Sequence, residues 1–330
     1  VAGGPVKLLA ELPKAHLHLH LEAAMRPGTL HDLAAEHGIP LPPLSGFTSF
    51  DEFLRVYEAA TECLRTPEDV QRLLRETAED AADDGVVWLE LHVYPPLWFG
   101  RFGSDEDTLD LTIEAARAAT EATGVGIGLV VAADRTDGPV AAERMAHLAA
   151  SRAGRGVTTF GLANDEAGRP PDLFVEAFRI ARGAGLLSAP HAGELAGPES
   201  VRGALDLLGA DRLGHGVRAI EDPELVRRLA DEGTTCDVCP TSNVVLGLYP
   251  SIAEHGVGQL LAAGVNVSLN TDDPLLFGAG LLDEYDAVRR AFALDDAAVA
   301  AIARTSIRAS AAPDATKHTA EAGIDAWLAG

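Results

Sequence analysis

The chain is predicted to fold as an α/β protein, a (β/α)₈ TIM barrel with a helical insertion after its first strand. Three observations predict this. Eight short β-rich runs recur along 330 residues, several of them nearly continuous apolar stretches of the kind buried on both faces. Amphipathic helical patterns separate the runs, and strict strand–helix alternation builds a parallel sheet. The histidines and carboxylates that carry chemistry fall at the C-terminal ends of the runs, where such barrels place their active sites.

The strands are expected at Ala15–Leu21, Val86–Val93, Val125–Ala133, Thr158–Ala163, Leu186–Ala192, Arg212–Gly216, Thr234–Cys239 and Val265–Asn270. Helices are expected at Asp107–Thr120, Val140–Arg152, Leu173–Gly183, Ser200–Leu208, Pro223–Asp231 and Ile252–Ala263, with terminal helices after Gly280. The stretch from Glu22 to Gly85 is long and mostly helical, broken by Pro and Gly at Gly38–Gly46. Phe47, Phe50, Phe53, Leu54 and Tyr57 form one apolar face there. Because this connection leaves from the catalytic end, it is expected to pack on the barrel and to roof the site in part. Residues 1–330 read as one domain, without internal repeat, low-complexity tract or linker.

The charge balance narrows the partners. The net charge is −24 and the sequence pI is near 4.7. Such a surface repels phosphate backbones and anionic lipid, so a neutral or cationic small molecule is expected rather than nucleic acid or a membrane. Cys63, Cys236 and Cys239 make no disulfide framework. No basic segment followed by an apolar one opens the chain, and no run of about 18 apolar residues occurs. The expectation is a cytoplasmic protein.

His16, His18 and His20 alternate along the first strand, so their side chains share one face. His18 and His20 lie nearest the C-terminal end and are the candidate metal ligands of this strand, with His16 in support. His191 ends the fifth strand, and Gly193 allows a sharp turn to Glu194. A carboxyl placed beside a metal without binding it can move a proton between water and substrate. His215 lies between Gly214 and Gly216 at the end of the sixth strand. Asp272 and Asp273 close the eighth, and adjacent carboxylates in extended chain point apart, so one can bind metal while the other faces substrate. Imidazoles with one carboxylate suit a catalytic Zn²⁺, which lowers the pKa of water to about 7, and the ligand types also admit iron, cobalt or manganese. Cys236 and Cys239, three apart on a strand, face opposite sides and do not make a metal pair.

Five stretches resemble the adenosine deaminase family and follow its order. They are Pro13 to Glu22 (PKAHLHLHLE), His191-Ala-Gly-Glu194, Arg212-Leu-Gly-His215-Gly216, Cys239-Pro-Thr-Ser-Asn243 and Ser268-Leu-Asn-Thr-Asp272-Asp273-Pro274. The resemblance implies a barrel with one Zn²⁺ per chain held by His18, His20, His191 and Asp272. It implies that Glu194 protonates purine N1, that His215 orients or deprotonates the attacking water, and that Asp273 bonds N7. Glu22 takes the position that contacts the sugar or lines the substrate end. The chain departs from the pattern at four places. Glu22-Ala23 replaces Asp-Gly or Glu-Gly, and adenine deaminases of the family tend to carry Glu at that position. Asn164 stands where a glycine usually offers its N–H to the purine. His16 replaces an acidic residue, and His92 an arginine.

The expected activity is hydrolytic deamination of a 6-aminopurine, adenosine to inosine and ammonia by default. Adenine and 6-aminodeoxyfutalosine are the alternative substrates. A metal hydrolase of amides or esters and a non-catalytic purine-binding protein are the competing classes. The retained His18, His20, His191, Glu194, His215 and Asp272 speak against the second of these.

Overall fold

The computed structural model describes residues 7–44, 46 and 50–330, with Phe50 and Asp51 in backbone only. Phe47 and the side chain of Phe50, assigned above to an apolar face, lie outside the described residues.

All eight strands form, each within one residue of its expected bounds: β1 (Lys14–His20), β2 (Val86–Val93), β3 (Gly126–Asp134), β4 (Val157–Ala163), β5 (Leu187–Ala192), β6 (Arg212–His215), β7 (Thr235–Val238) and β8 (Asn266–Leu269). They pair in sequence order, every pair parallel. Behind β8 the chain returns to β1, where Leu19 bridges Asp272 in parallel fashion and makes a nearly closed barrel. With helices between the strands this is the (β/α)₈ arrangement. The apolar strand runs are covered on their outer face: Leu89, Leu91, Leu129 and Val131 are fully buried.

The helices start and stop where local chemistry directs. Between β1 and β2 lie α1 (Pro27–His37), α2 (Phe50–Glu62) and α3 (Pro67–Asp83). Pro27 and Pro67 open α1 and α3, where a missing N–H costs nothing. Thr66 and Asp69 cap α3 reciprocally, as Ser104 and Asp107 cap α4 (Asp105–Thr123). Gly38 and Gly124 end α1 and α4 in the left-handed conformation. Then follow α5 (Gly138–Ser151), α6 (Val175–Gly183), α7 (Pro198–Asp206), α8 (Pro223–Glu232), α9 (Pro240–Val245), α10 (Val257–Ala262), α11 (Pro274–Phe277), α12 (Leu281–Ala291), α13 (Asp296–Ala309) and α14 (Asp314–Ala329). The expected single helix over Ile252–Ala263 does not form. A 3₁₀ turn at Ile252–Glu254 is followed by a break at His255, whose Nδ1 accepts the N–H of Val257, and α10 begins only there. No helix among the described residues is long and apolar enough to cross a membrane.

The barrel interior is polar at its waist. Arg212, fully buried, donates through Nη2 to Glu90 Oε2 at 2.6 Å and through Nε to Asp237 Oδ2 at 2.9 Å. Ser268 Oγ donates to Asp237 Oδ1 at 2.6 Å and accepts from Asn270 Nδ2 at 2.8 Å. Asn270 Oδ1 in turn accepts the N–H groups of Leu17 and His18 at 2.7 and 3.1 Å. The network therefore ends under the histidines of β1.

Candidate active site

At the C-terminal mouth the chain is held in unusual conformations. Five non-glycine residues among those described have left-handed φ, and three of them are Asn164 (+74°), His215 (+64°) and Asp272 (+61°) at the ends of β4, β6 and β8. Each such residue costs on the order of 1–3 kcal/mol and persists only where surrounding contacts over-determine it, commonly at functional sites.

Those contacts gather the candidate ligands. Asp272 Oδ1 lies 3.1 Å from His18 Nε2 and 3.2 Å from His20 Nε2. His191 Nε2 faces His20 Nε2 at 3.3 Å. Asp272 Oδ2 accepts from Ser242 Oγ at 2.7 Å, which leaves Oδ1 directed at the imidazoles. Close approach of the rings needs Gly214: a Cβ there would stand 3.0 Å from His18 Cε1 and 3.1 Å from His191 Nδ1. Gly193 (φ +74°) likewise lets β5 turn against Val201, where a Cβ would meet Cγ2 at 2.4 Å.

The donor set fits a divalent cation. The buried Nε2 atoms of His18 and His215 have no hydrogen-bond partner, which is unfavourable unless something positive lies beside them. Donor atoms around a tetrahedral zinc at about 2.0–2.1 Å stand about 3.3 Å apart, close to the three separations given above. His215 also reaches the cluster: one donor atom each from His18, His191, His215 and Asp272 lies within 4.8 Å of the others. It differs in its second nitrogen, where Nδ1 meets Asn243 Nδ2 at 3.3 Å. Its Nε2 is 3.5 Å from Glu194 Oε2 and 3.9 Å from Asp272 Oδ2.

The carboxyl groups are electrostatically unequal. Burial, reinforced by the charges of Asp272, Glu166 and Asp273, pushes Glu194 well above the usual carboxylate range. Asp273 is pushed up by burial and by Asp272. Asp272 goes the other way: burial opposes ionisation, but its contacts with His18 and His20 hold it well below the usual range. Burial thus favours the neutral form at Glu194 and Asp273, while the imidazoles favour the ionised form at Asp272. For His20, burial is outweighed by Asp273, Asp272 and Glu22, and its pKa rises to about 9.

All nine residues singled out in the sequence lie at this end of the barrel, and His20, Glu22, Asn164, His191, Glu194, His215, Asp272 and Asp273 line one cavity of about 450 Å³. His18 lies beneath it, 1% exposed. Glu22 is buried, with Tyr57 Oη donating to Oε2 and Trp98 Nε1 to Oε1, both at 2.6 Å. Asn164 is set apart from the metal cluster, its Nδ2 donating to Asp134 Oδ2 at 2.8 Å. His16 accepts the N–H of Thr271 at Nε2. Sequence reasoning missed the supports. Glu166 accepts the N–H groups of Gly193, Glu194 and Ala196 and so holds the turn that carries Glu194. His92, noted in the sequence only as a departure from the family pattern, stacks on His18 with centroids 4.7 Å apart. Ser242 and Asn243 lie in a recognised motif, yet nothing local in it names their partners.

Comparison with known proteins extends the picture. The model of the adenosine deaminase family matches residues 13–327. A Streptomyces coelicolor protein named "Putative adenosine/adenine deaminase" is 47% identical, with 98% of each chain covered. An aminodeoxyfutalosine deaminase of Streptomyces avermitilis is 38% identical over 97% of this chain and 94% of that one. The crystal structure of an adenine deaminase from Arthrobacter aurescens matches with TM-score 0.90 at 32% identity, covering 97% of this chain and all of that one (100%). An amidohydrolase from Burkholderia ambifaria, solved with bound Zn, matches with TM-score 0.87 at 27% identity, covering 100% and 97%. Deaminases of this amidohydrolase type depend on a metal, and the His/Asp cluster is where one fits. Sequence and architecture agree over nearly the full length: this chain belongs to the adenosine deaminase family and is a hydrolase that deaminates purines.

Proposed function

We propose that the chain replaces the 6-amino group of a purine nucleoside, adenosine or deoxyadenosine, by oxygen, consuming water and releasing ammonia. The observation that carries this reading is the cavity of about 450 Å³ running from the His/Asp cluster out past Asn164 to Asp134 and Asp137. That volume suits a whole small ligand rather than a bare ring. The outer carboxylates can accept sugar hydroxyls. None of the described residues lining the cavity is Lys or Arg, which disfavours a nucleotide or any other anionic substituent, 6-aminodeoxyfutalosine included.

His18, His20, His191 and Asp272 would hold one zinc per chain, which supplies Lewis-acid activation of a water molecule at neutral pH. Glu194, kept protonated by its surroundings, donates to purine N1 and makes C6 more electrophilic. Asp273, whose burial favours the neutral form, can then donate to N7, which is only an acceptor. His215 orients the attacking water. Phe53, Leu54, Tyr57 and Glu58 of α2 line the cavity, which supports segment 22–85 as the roof of a single catalytic domain. Small purines in the cytoplasm, rather than nucleic acid or membranes, suit the net charge of −24.

A second reading is adenine as substrate. Both oxygens of Glu22 already accept hydrogen bonds, from Tyr57 and Trp98, so the carboxylate that would meet a sugar is engaged and that wall is closed. Ultraviolet assays of the zinc-loaded protein on adenosine, deoxyadenosine, adenine and 6-aminodeoxyfutalosine decide between them by kcat/KM. Adenosine or deoxyadenosine as best substrate supports the first reading, adenine supports the second, and 6-aminodeoxyfutalosine as best substrate would contradict both. Deamination of none with zinc bound would overturn both.

A further inference from the structure

We infer that Asn243 and His255 are positioning residues that hold His215 in the tautomer with its proton on Nε2, so that His215 meets the reaction centre as a hydrogen-bond donor. The inference rests on the reading of His215 as the residue beside the attacking water.

The argument starts at a group whose polarity is not adjustable. The backbone N–H of Val257 donates to His255 Nδ1 at 3.0 Å. That nitrogen is therefore bare, and a neutral His255 carries its proton on Nε2. Burial pushes the His255 pKa down to about 4, so the ring is neutral at physiological pH. Nε2–H then donates to Asn243 Oδ1 at 3.2 Å. This fixes the orientation of the amide, because its oxygen must face His255. Asn243 Nδ2 in consequence faces His215 Nδ1 at 3.3 Å and donates to it. With Nδ1 accepting, a neutral His215 bears its proton on Nε2. That atom has no hydrogen-bond partner among the described residues, and the carboxyl oxygens Glu194 Oε2 and Asp272 Oδ2 face it at 3.5 and 3.9 Å, where a donor is better placed than a bare nitrogen.

Among the described residues no other side-chain hydrogen bond engages the amide of Asn243. Asn243 is fully buried and His255 is 2% exposed. The Tyr249 ring packs on His255 with centroids 4.3 Å apart. Asn243 is anchored through its backbone oxygen, which accepts from Leu248 N–H at 2.8 Å. The consequence bears on proton traffic. A neutral His215 with Nε2–H can point a hydrogen at the water oxygen but cannot take a proton there. The proton leaving the water goes instead to Glu194, whose carboxylate is free once it has protonated N1. Glu194 then passes that proton to the departing amino group and regains one from the C6 hydroxyl as the carbonyl forms, which returns it to its starting protonated state.

The test is tautomer-resolved ¹⁵N–¹H NMR of histidine-labelled, zinc-loaded protein, with His215→Gln identifying the His215 signals. The expected result is an Nε2–H tautomer in the wild type. In Asn243→Asp the second carboxylate oxygen demands a donor, so His215 should convert to Nδ1–H. There kcat should fall about tenfold or more, with KM and zinc content unchanged within about twofold. His255→Phe, which removes the donor that orients the amide, should lower kcat similarly. His255→Gln, whose amide N–H replaces that donor, should restore it. An Nδ1–H tautomer in the wild type would overturn the inference. So would an unchanged tautomer and kcat in both Asn243→Asp and His255→Phe. The NMR readout needs no turnover, so failure of the deaminase reading is seen separately from failure of the relay.

Discussion

Leu19 and Asp272 form a parallel bridge across the seam of the barrel, and the bonds on either side of it run between the candidate ligands themselves. His20 N donates to Asp272 O at 3.0 Å, and Asp272 N donates to His18 O at 3.1 Å. The hydrogen bonds that join the end of the sheet to its beginning thus set one carboxylate between two imidazoles. Barrel closure and ligand placement are one structural event.

Asn270 is the second tie across this seam. Replacing it by alanine removes the acceptor for two buried N–H groups, those of Leu17 and His18. Each orphaned group costs about 1–3 kcal/mol, so Asn270→Ala should lose roughly 2–6 kcal/mol in urea denaturation. A loss below about 1 kcal/mol would show that the seam is held elsewhere.

Glu194→Gln keeps the shape of the side chain and removes the transferable proton. Steady-state kcat should drop by about 10²–10⁴-fold, while zinc content by elemental analysis stays at the wild-type value. Equal turnover in the variant would remove Glu194 from the mechanism.

Arg212 links Glu90 to Asp237 in the fully buried waist. Arg212→Met leaves both carboxylates unpaired and should destabilise by about 3–5 kcal/mol. Arg212→Lys should recover little, because a single ammonium lacks the fork that reaches both acids and the carbonyl of Ala309. Calorimetry of the two variants checks this, and near-wild-type melting of the lysine variant would argue against the fork.

Glu284 accepts the N–H of Thr241 at the start of α9, and burial raises its pKa from 4.5 to about 8. Between those values the folded state holds a proton that the unfolded state has released. The stability this group contributes is complete below pH 4.5 and is lost as pH rises towards 8. Glu284→Gln keeps the acceptor without the charge. Its stability relative to wild type should therefore climb over that range, by at most about 1.4 kcal/mol per pH unit. Paired denaturation curves at equal zinc loading measure the difference, and a flat difference would contradict the raised pKa.

Legibility in the sequence followed the range of each interaction. Apolar runs such as Val86–Val93 and capping pairs such as Ser104 with Asp107 act within a few residues, and the strands appeared where periodicity placed them. Ile252–Ala263 did not become one helix because the ring of His255 takes the N–H that a continuous helix would use internally. The histidines of β1 were legible because strand alternation alone puts them on one face. Tyr57 and Trp98, which close over Glu22, come from separate connections 35 and 76 residues away, and no spacing announces them.

By itself, the sequence determined the strand–helix order, the face on which His18 and His20 lie, and the presence of acid and ligand residues at the strand ends. Only the tertiary structure decided how closely Asp272 approaches the imidazoles, which carboxyls burial biases towards the neutral form, and which nitrogen of His215 faces the cluster. The reason is physical. Alternation and capping are local, whereas the interior of a barrel is shared by strands remote in sequence. Register and closure bring Asp272 to His18 and Asn243 to His215, and burial among those partners then sets each group's charge.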